Sequence, residues 1–195
     1  MQYLKEIMKQ TALLLIDVQE GLDDPSHGER NNPDAEANMS LLLNKAREWG
    51  MAIIHIRHDS AEPNSMLRPG APGNQIKSMV LPIEGEALFA KSVNSAFIGT
   101  DLEAHLHTNK LTDLVVVGLT TDHCVSTSVR MAANLGFNVT LVEDAVATHS
   151  RMGVDGKKIP AQQMHDINLA SLNGEFCTIT RTDALMSAKP DAGLG

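Results

Sequence analysis

Three short apolar runs lead into residues that can carry chemistry. Asp17 follows Ala12-Leu-Leu-Leu-Ile16, Lys91 follows Ala87-Leu-Phe-Ala90, and Cys124 follows Leu114-Val-Val-Val117 across Gly118-Leu-Thr-Thr-Asp-His123. A carboxylate placed directly after aliphatic residues is either drawn out of water, which raises its pKa, or set beside a cation, which lowers it. Asp17 also suits a loop start, where Asp caps backbone donors. Lysine is rarely buried without a partner. The Lys91 stem either snorkels to solvent or brings its ammonium to a carboxylate from another strand end, for which Asp17 is the candidate.

Cys124 is the most informative of the three, because its surroundings read as a strand, a Gly-containing turn and a helix start. A thiol at a helix N-terminus meets unpaired N–H groups and the positive end of the helix dipole. Both predict a pKa below the usual ~8.5. The same N–H groups suit an oxyanion. Cys177, inside Phe176-Cys-Thr-Ile179, reads instead as a small buried hydrophobe. An acid, an amine and a thiol that met in space would form a nucleophilic site.

The elements that would bring them together are legible as a pattern. Further runs, Ala52-Ile-Ile-His-Ile56, Phe137-Asn-Val-Thr-Leu-Val142 and Phe176-Cys-Thr-Ile179, complete a set of strands. Most are apolar throughout, as in strands covered on both faces. Between them lie helix signals. Asn32-Pro33 reads as an N-cap with Pro in the first turn and Gly50 as the stop, while Thr100-Asp-Leu-Glu103 has capping-box spacing. From Val125 the residues Val129, Ala132 and Ala133 form an apolar stripe ended by Gly136. Pro160 opens a helix with Met164, Ile167 and Leu172 inward and Gly174 at its end. Such alternation predicts an α/β fold, a parallel sheet with helices on both faces, and ligands outside the carboxyl ends of its strands. Segments 23–32 and 60–78, rich in Gly, Pro, Asn and Asp, read as long loops that shape a site.

Composition narrows the function. The 195 residues, 43% hydrophobic and 21% charged, fit one globular domain spanning 1–195. Lys+Arg 16 against Asp+Glu 24 gives a net charge of -8, which repels phosphate backbones and anionic membranes. Trp 1, Tyr 1 and Phe 4 leave few stacking platforms for single strands. No apolar run nears the ~20 residues of a membrane span. Met1-Gln-Tyr-Leu-Lys5 lacks the apolar stretch of a secretory signal, and two cysteines point to a reducing cytoplasm. The expected partner is a small molecule, with no nucleic acid and no membrane. Walker A, dinucleotide, Gly-x-Ser-x-Gly and His-Glu-x-x-His patterns are missing, so no cofactor is expected.

At this point the residues resemble the cysteine hydrolases of the isochorismatase-like superfamily, among them nicotinamidases, N-carbamoylsarcosine amidohydrolases and ureidoacrylate amidohydrolases. The likeness runs from Leu13-Leu-Leu-Ile-Asp17-Val-Gln19 through Lys91-Ser-Val-Asn-Ser-Ala-Phe97 and Gly118-Leu-Thr-Thr-Asp-His-Cys124-Val-Ser-Thr-Ser-Val129 to Gly136-Phe-Asn-Val-Thr-Leu-Val-Glu-Asp144-Ala145. It implies a three-layer α/β/α sandwich around a mainly parallel six-stranded sheet, and an Asp17–Lys91–Cys124 triad. It also implies a cis peptide before Thr120 and an oxyanion hole built from the Thr120 and Cys124 N–H groups. The implied activity is cleavage of a C–N bond in a small amide, carbamoyl compound or cyclic amide through a thioester, by a homodimer or homotetramer.

Three other readings stand beside it. Isochorismatase-type vinyl ether cleavage does without the cysteine that this chain has. Nicotinamidases add a metal site after the second strand, where this chain reads His55-Ile-Arg57-His58-Asp59. Two imidazoles three residues apart on an extended segment point to opposite faces, so no metal is expected there. The third is a catalytically silent binding protein of the same fold. Gln19, His58, Phe97 and His123 are the expected pocket residues, with His149 approaching the site. Asp144 reads as structural, and His105 and His107 as a solvated face.

Overall fold

The computed structural model describes residues 10–187; the Met1–Lys5 segment read above lies outside them, as do residues 188–195. The strands are β1 (Thr11–Ile16), β2 (Ala52–His58), β3 (Ala87–Lys91), β4 (Asp113–Leu119), β5 (Asn138–Ala147), β6 (Arg151–Met152), β7 (Lys158–Ile159) and β8 (Thr178–Thr180). The helices are α1 (Ala35–Trp49), α2 (Leu102–Thr108), α3 (Ser126–Asn134), α4 (Ala161–Leu172) and α5 (Thr182–Ser187). Six strands form one sheet in the order β3-β2-β1-β4-β5-β8, every pair parallel, while β6 and β7 form a small antiparallel hairpin. The expected α/β architecture is therefore the observed one.

Strand periodicity explains the layers. Along β1 all six residues are buried, because successive side chains enter opposite faces and both are covered. Ala12, Leu14 and Ile16 pack with Leu102 and Leu106 of α2, Val129 and Ala132 of α3, and Leu169 and Leu172 of α4. Leu13 and Leu15 pack on the other face with Met39, Leu42, Leu43 and Ala46 of α1, with Leu185 of α5 beside them. The chain thus leaves β1 towards one face and β4 towards the other. That reversal opens a crevice at their carboxyl ends, the place where parallel sheets bind ligands.

One glycine is needed to hold those two strands together. Gly118 of β4 pairs with Ile16 of β1 at φ +129, and a Cβ there would run into the Ile16 carbonyl oxygen. The pairing of β4 with β5 shifts register at the same place.

Helix boundaries depart from the sequence reading where side chains find other partners. Gly50 closes α1 in the left-handed conformation, as expected, but the helix begins at Ala35. Asn32 itself has φ 44, and its amide donates to the carbonyls of Glu143 and Val146, so it ties a loop to β5 instead of capping. The Thr100 hydroxyl donates to the Ala96 carbonyl and accepts weakly from the Leu102 N–H. Glu103 faces His107, so the reciprocal capping box is not made. On α4 the inward face is His165, Leu169 and Leu172, and Ile167 is 55% exposed. No helix among the described residues is long and apolar enough to cross a membrane.

Candidate active site

Strand ends deliver Asp17, Lys91 and Cys124 to one point. Asp17 follows β1 with φ 51, a left-handed conformation that Asp tolerates better than most residues, and its N–H still bonds the Ile56 carbonyl of β2. That turn takes the carboxylate off the strand and over the crevice. Lys91 is the last residue of β3 and pairs in register with His58, the last of β2. Cys124 lies in a single π-type turn, Thr121–Val125, that links β4 to α3. The Leu119–Thr120 peptide bond entering the turn is cis. Behind it, buried Thr121 Oγ1 lies 3.1 Å from Nδ1 of buried His165 on α4 and so anchors the turn to its neighbour.

Lys91 Nζ is the hub of the site. It lies 2.6 Å from Asp17 Oδ2, 3.0 Å from His58 Nδ1 and 3.3 Å from Cys124 Sγ. An ammonium has three N–H bonds to donate and no acceptor, so each has a partner here. The lysine side chain is 0% exposed and that of Asp17 2%. Because an ammonium can only donate, His58 Nδ1 accepts and its ring proton belongs on Nε2. Burial, seconded by the Lys91 charge, lowers the His58 pKa and keeps the ring neutral.

The electrostatics correct one expectation. Burial and the neighbouring Asp17 carboxylate push the Cys124 thiol up to about 12, against the opposing pull of Lys91. The carboxylate beside the sulfur outweighs the helix terminus. At rest the sulfur is a thiol, since its ionisation would add an unbalanced negative charge to a closed Asp17–Lys91 pair. Burial also raises Asp17 from 3.8, with Lys91 opposing. Asp17 Oδ1 is buried without a hydrogen-bond partner, so one carboxylate oxygen holds the lysine and the other remains to accept a proton. Proton transfer from sulfur to Asp17 leaves the net charge of the cluster unchanged.

The cluster floors a cavity of about 300 Å³. His27 comes from the first long loop, Leu22 from just before it and Leu67 from the second loop, and His123, His149 and Arg151 line the cavity as well. The 29–31 stretch bonds the 148–150 stretch through Asn31 N–H to Thr148 and Ser150 N–H to Glu29. Arg30 and Lys77 converge on Glu36 at 2.6 and 2.5 Å, holding both loops against α1. Against the raising effect of burial, these cations hold Glu36 down to about 2.

Among the residues singled out from sequence, His58 and His123 lie on the cavity wall with Asp17, Thr120 and Cys124, and Lys91 lies beneath them. His149 reaches the wall as well; burial and the facing His27 hold it down to about 4. Two of the residues expected at the pocket are elsewhere. Gln19 is fully buried, its amide bonding the backbone of His58 and Asn74. Phe97 packs into the core against Phe137. His55 turns away from the site to Glu86 at 2.9 Å, as strand alternation requires. His105 and His107 lie against Phe89 and Phe137. Asp144 binds the N–H and hydroxyl of Thr182, the structural role expected of it.

Arg151 and Asp122 were missed. The Asp122 side chain is buried, and hydrogen bonds from Arg151 and Thr148 outweigh the effect of burial and hold it down to about 2. The pair spans distant segments, and the only sequence signal was a charged residue inside the Thr121–Val125 turn. Asp17, His58 and Cys124 also bring possible metal-ligating atoms within 4.8 Å of one another. Those three atoms converge on Lys91 Nζ, so the cation they surround is the chain's own ammonium.

An isochorismatase domain model matches residues 11–184. An isochorismatase family protein of Bacillus subtilis, YrdC, is 45% identical over 90% of this chain and 94% of its own. A maleamate amidohydrolase of Pseudomonas putida is 25% identical, with 95% and 90% covered. A crystal structure from the isochorismatase family of Chromobacterium violaceum superposes with a TM-score of 0.89 at 47% identity, covering 92% of this chain and 93% of the other.

Proposed function

The chain belongs to the isochorismatase family of hydrolases, and we propose that it hydrolyses a C–N bond of a small amide or carbamoyl compound through a thioester on Cys124. The observation that carries this reading is the convergence of Asp17 and Cys124 on the Lys91 ammonium within hydrogen-bonding distance. The amidohydrolase among the relatives supports it.

The steps balance without a cofactor. As Sγ bonds the carbonyl carbon, the thiol proton passes to Asp17 Oδ1 and the carbonyl π pair moves to oxygen. The N–H groups of Thr120 and Cys124 receive that oxyanion, and Lys91 steadies the anionic groups at its hub. The C–N bond then breaks, the amine takes the proton from Asp17, and a thioester remains. A water molecule gives its proton to Asp17 and attacks the thioester. The C–S bond breaks, and the proton returns to sulfur as the acid leaves. Proton transfer of this kind contributes about 10²–10⁴-fold, and one oxyanion donor about 10²–10³-fold.

Ammonia release over a panel of amides, ureas and carbamoyl amino acids, with intact-mass detection of an acyl group on Cys124, tests the proposal. The expected result is release from at least one compound, abolished in a folded Cys124→Ala variant. Normal turnover by that variant overturns the nucleophile. No release from any compound favours a silent binding protein.

A further inference from the structure

Resting on the reading of Cys124 as the reacting group, we propose that Thr148 and Asp122 are positioning residues. They form a buried clamp that fixes the turn bearing the sulfur and ties it to the first long loop. Neither residue is part of the cavity wall.

The turn needs support from outside itself. Thr121–Val125 is a single π-type turn, a rare form found mostly as isolated turns at functional sites. Its own main-chain support is thin: the His123 and Val125 N–H groups share the Thr120 carbonyl, each at 3.2 Å. Where the sulfur sits is therefore decided by the partners on either flank.

On one flank Thr121 Oγ1 meets His165 Nδ1 of α4 at 3.1 Å. The other flank is Asp122. Leu119 of β4 pairs with Ala147 of β5, so the two strands end level and Thr148 emerges beside the turn. Asp122 Oδ1 accepts the Thr148 hydroxyl, and Oδ2 accepts Arg151 Nε at 2.8 Å. The Asp122 side chain is 3% exposed and Thr148 0%. A buried carboxylate separated from its donors costs more than the bonds themselves are worth. The turn cannot shift without paying that penalty.

Thr148 also grips the loop. Its N–H donates to Asn31 Oδ1 at 2.8 Å, and its carbonyl accepts the Asn31 N–H at 3.1 Å. Asn31 Nδ2 reaches Gln162 Oε1 at 3.4 Å, on the same helix that holds Thr121. One threonine thus joins the loop through its main chain to the turn through its hydroxyl. That loop places His27 on the cavity wall. The clamp sets the distance between the wall and the sulfur.

Placement of this kind governs the chemical step more than binding. A displacement of 1 Å at a reacting atom can cost about 10²-fold in rate. The signature of the clamp is a loss in kcat with KM retained.

The test removes one hydroxyl. Thr148→Val keeps the shape of the side chain, and Thr148→Ser keeps the bond. Amide hydrogen exchange is followed over residues 119–126, with residues 13–16 of β1 as the internal reference. Thr148→Val is expected to speed exchange in the turn by about 10-fold or more, the worth of one hydrogen bond to a charged group. Exchange in β1 should stay unchanged, and Thr148→Ser should follow wild type. On the amide that wild type hydrolyses best, kcat should fall about 10- to 100-fold in Thr148→Val. KM should stay within about threefold, and Thr148→Ser should recover most of kcat.

Turn exchange in Thr148→Val equal to wild type overturns the clamp. Faster turn exchange with unchanged kcat overturns the positioning role. So does exchange in β1 that rises in step with the turn, because Thr148 then serves stability alone. Should Thr148→Val fail to fold, Asp122→Asn is read by the same exchange comparison, and wild-type exchange in its turn overturns the clamp. If wild type cleaves no amide, the hydrolase reading fails, and the exchange comparison alone decides the clamp.

Discussion

Replacing Lys91 with Met keeps a stem of similar length and deletes the charge that Asp17, His58 and Cys124 all face. Asp17 then remains buried without a counter-ion. In the wild type, burial raises its pKa above 3.8 and Lys91 opposes the rise. The substitution removes the opposition, so the folded-state value climbs further. A group raised on folding contributes stability that is fully present below its unfolded pKa and is lost as pH rises through its folded one. Lys91→Met is therefore expected to lose stability from about pH 4 upward until the raised value is passed, at up to ~1.4 kcal/mol per pH unit. Breaking a buried pair in this way costs about 3–5 kcal/mol, which sets the scale of the loss. Urea unfolding at about pH 5, 6, 7 and 8 reads the slope. The Lys91→Met/Asp17→Asn double variant has no carboxylate to titrate and should lack this decline. If the single variant tracks the double across that range, the buried-pair argument fails.

Other outcomes follow from the same geometry. The ultraviolet thiolate difference between wild type and Cys124→Ala should show no ionisation step near neutral pH, because the thiol is pushed up to about 12; a step near pH 7 would refute this. If Asp17 is the base, kcat/KM should rise with pH through an acid limb lying above 3.8, since burial raises that carboxyl. Gly118→Ala places a Cβ on the Ile16 carbonyl at φ +129 and should cost about 3 kcal/mol or more, measured by denaturant unfolding. Glu36, lowered from 4.5 to about 2, contributes stability present above its unfolded pKa and lost as pH falls from about 4.5 to about 2. Acid unfolding of wild type against Glu36→Gln should show a difference of about 2–3 kcal/mol vanishing over that window.

The strands and the meeting of Asp17, Lys91 and Cys124 were legible because strand–helix alternation dictates where carboxyl ends gather, and each residue stands at or just beyond such an end. The glycine stop of α1 was legible for a similarly local reason. What escaped was set by neighbours distant in the chain. The His58–Lys91 contact depends on the register of β2 against β3, which no local pattern encodes. The thiol pKa was misjudged because the turn was weighed without the carboxylate that the sheet brings beside it. Gln19 and Phe97 stand near the reactive strands in sequence, but their side chains enter the backbone network and the core. Arg151 pairs with Asp122 across β5, a contact invisible to any window shorter than that strand.

Gln19 also explains how β1 can leave the sheet so abruptly. Its side-chain oxygen accepts the His58 N–H at 2.8 Å and its nitrogen donates to the His58 carbonyl at 3.0 Å, the two bonds that a neighbouring main-chain amide would have supplied. The side chain serves as a substitute rung in the ladder where Asp17 has stepped out of line. The molecule can thus spend a strand's terminal residue on chemistry without leaving the adjoining strand frayed. A glutamate there, able only to accept when ionised, would restore half of that rung.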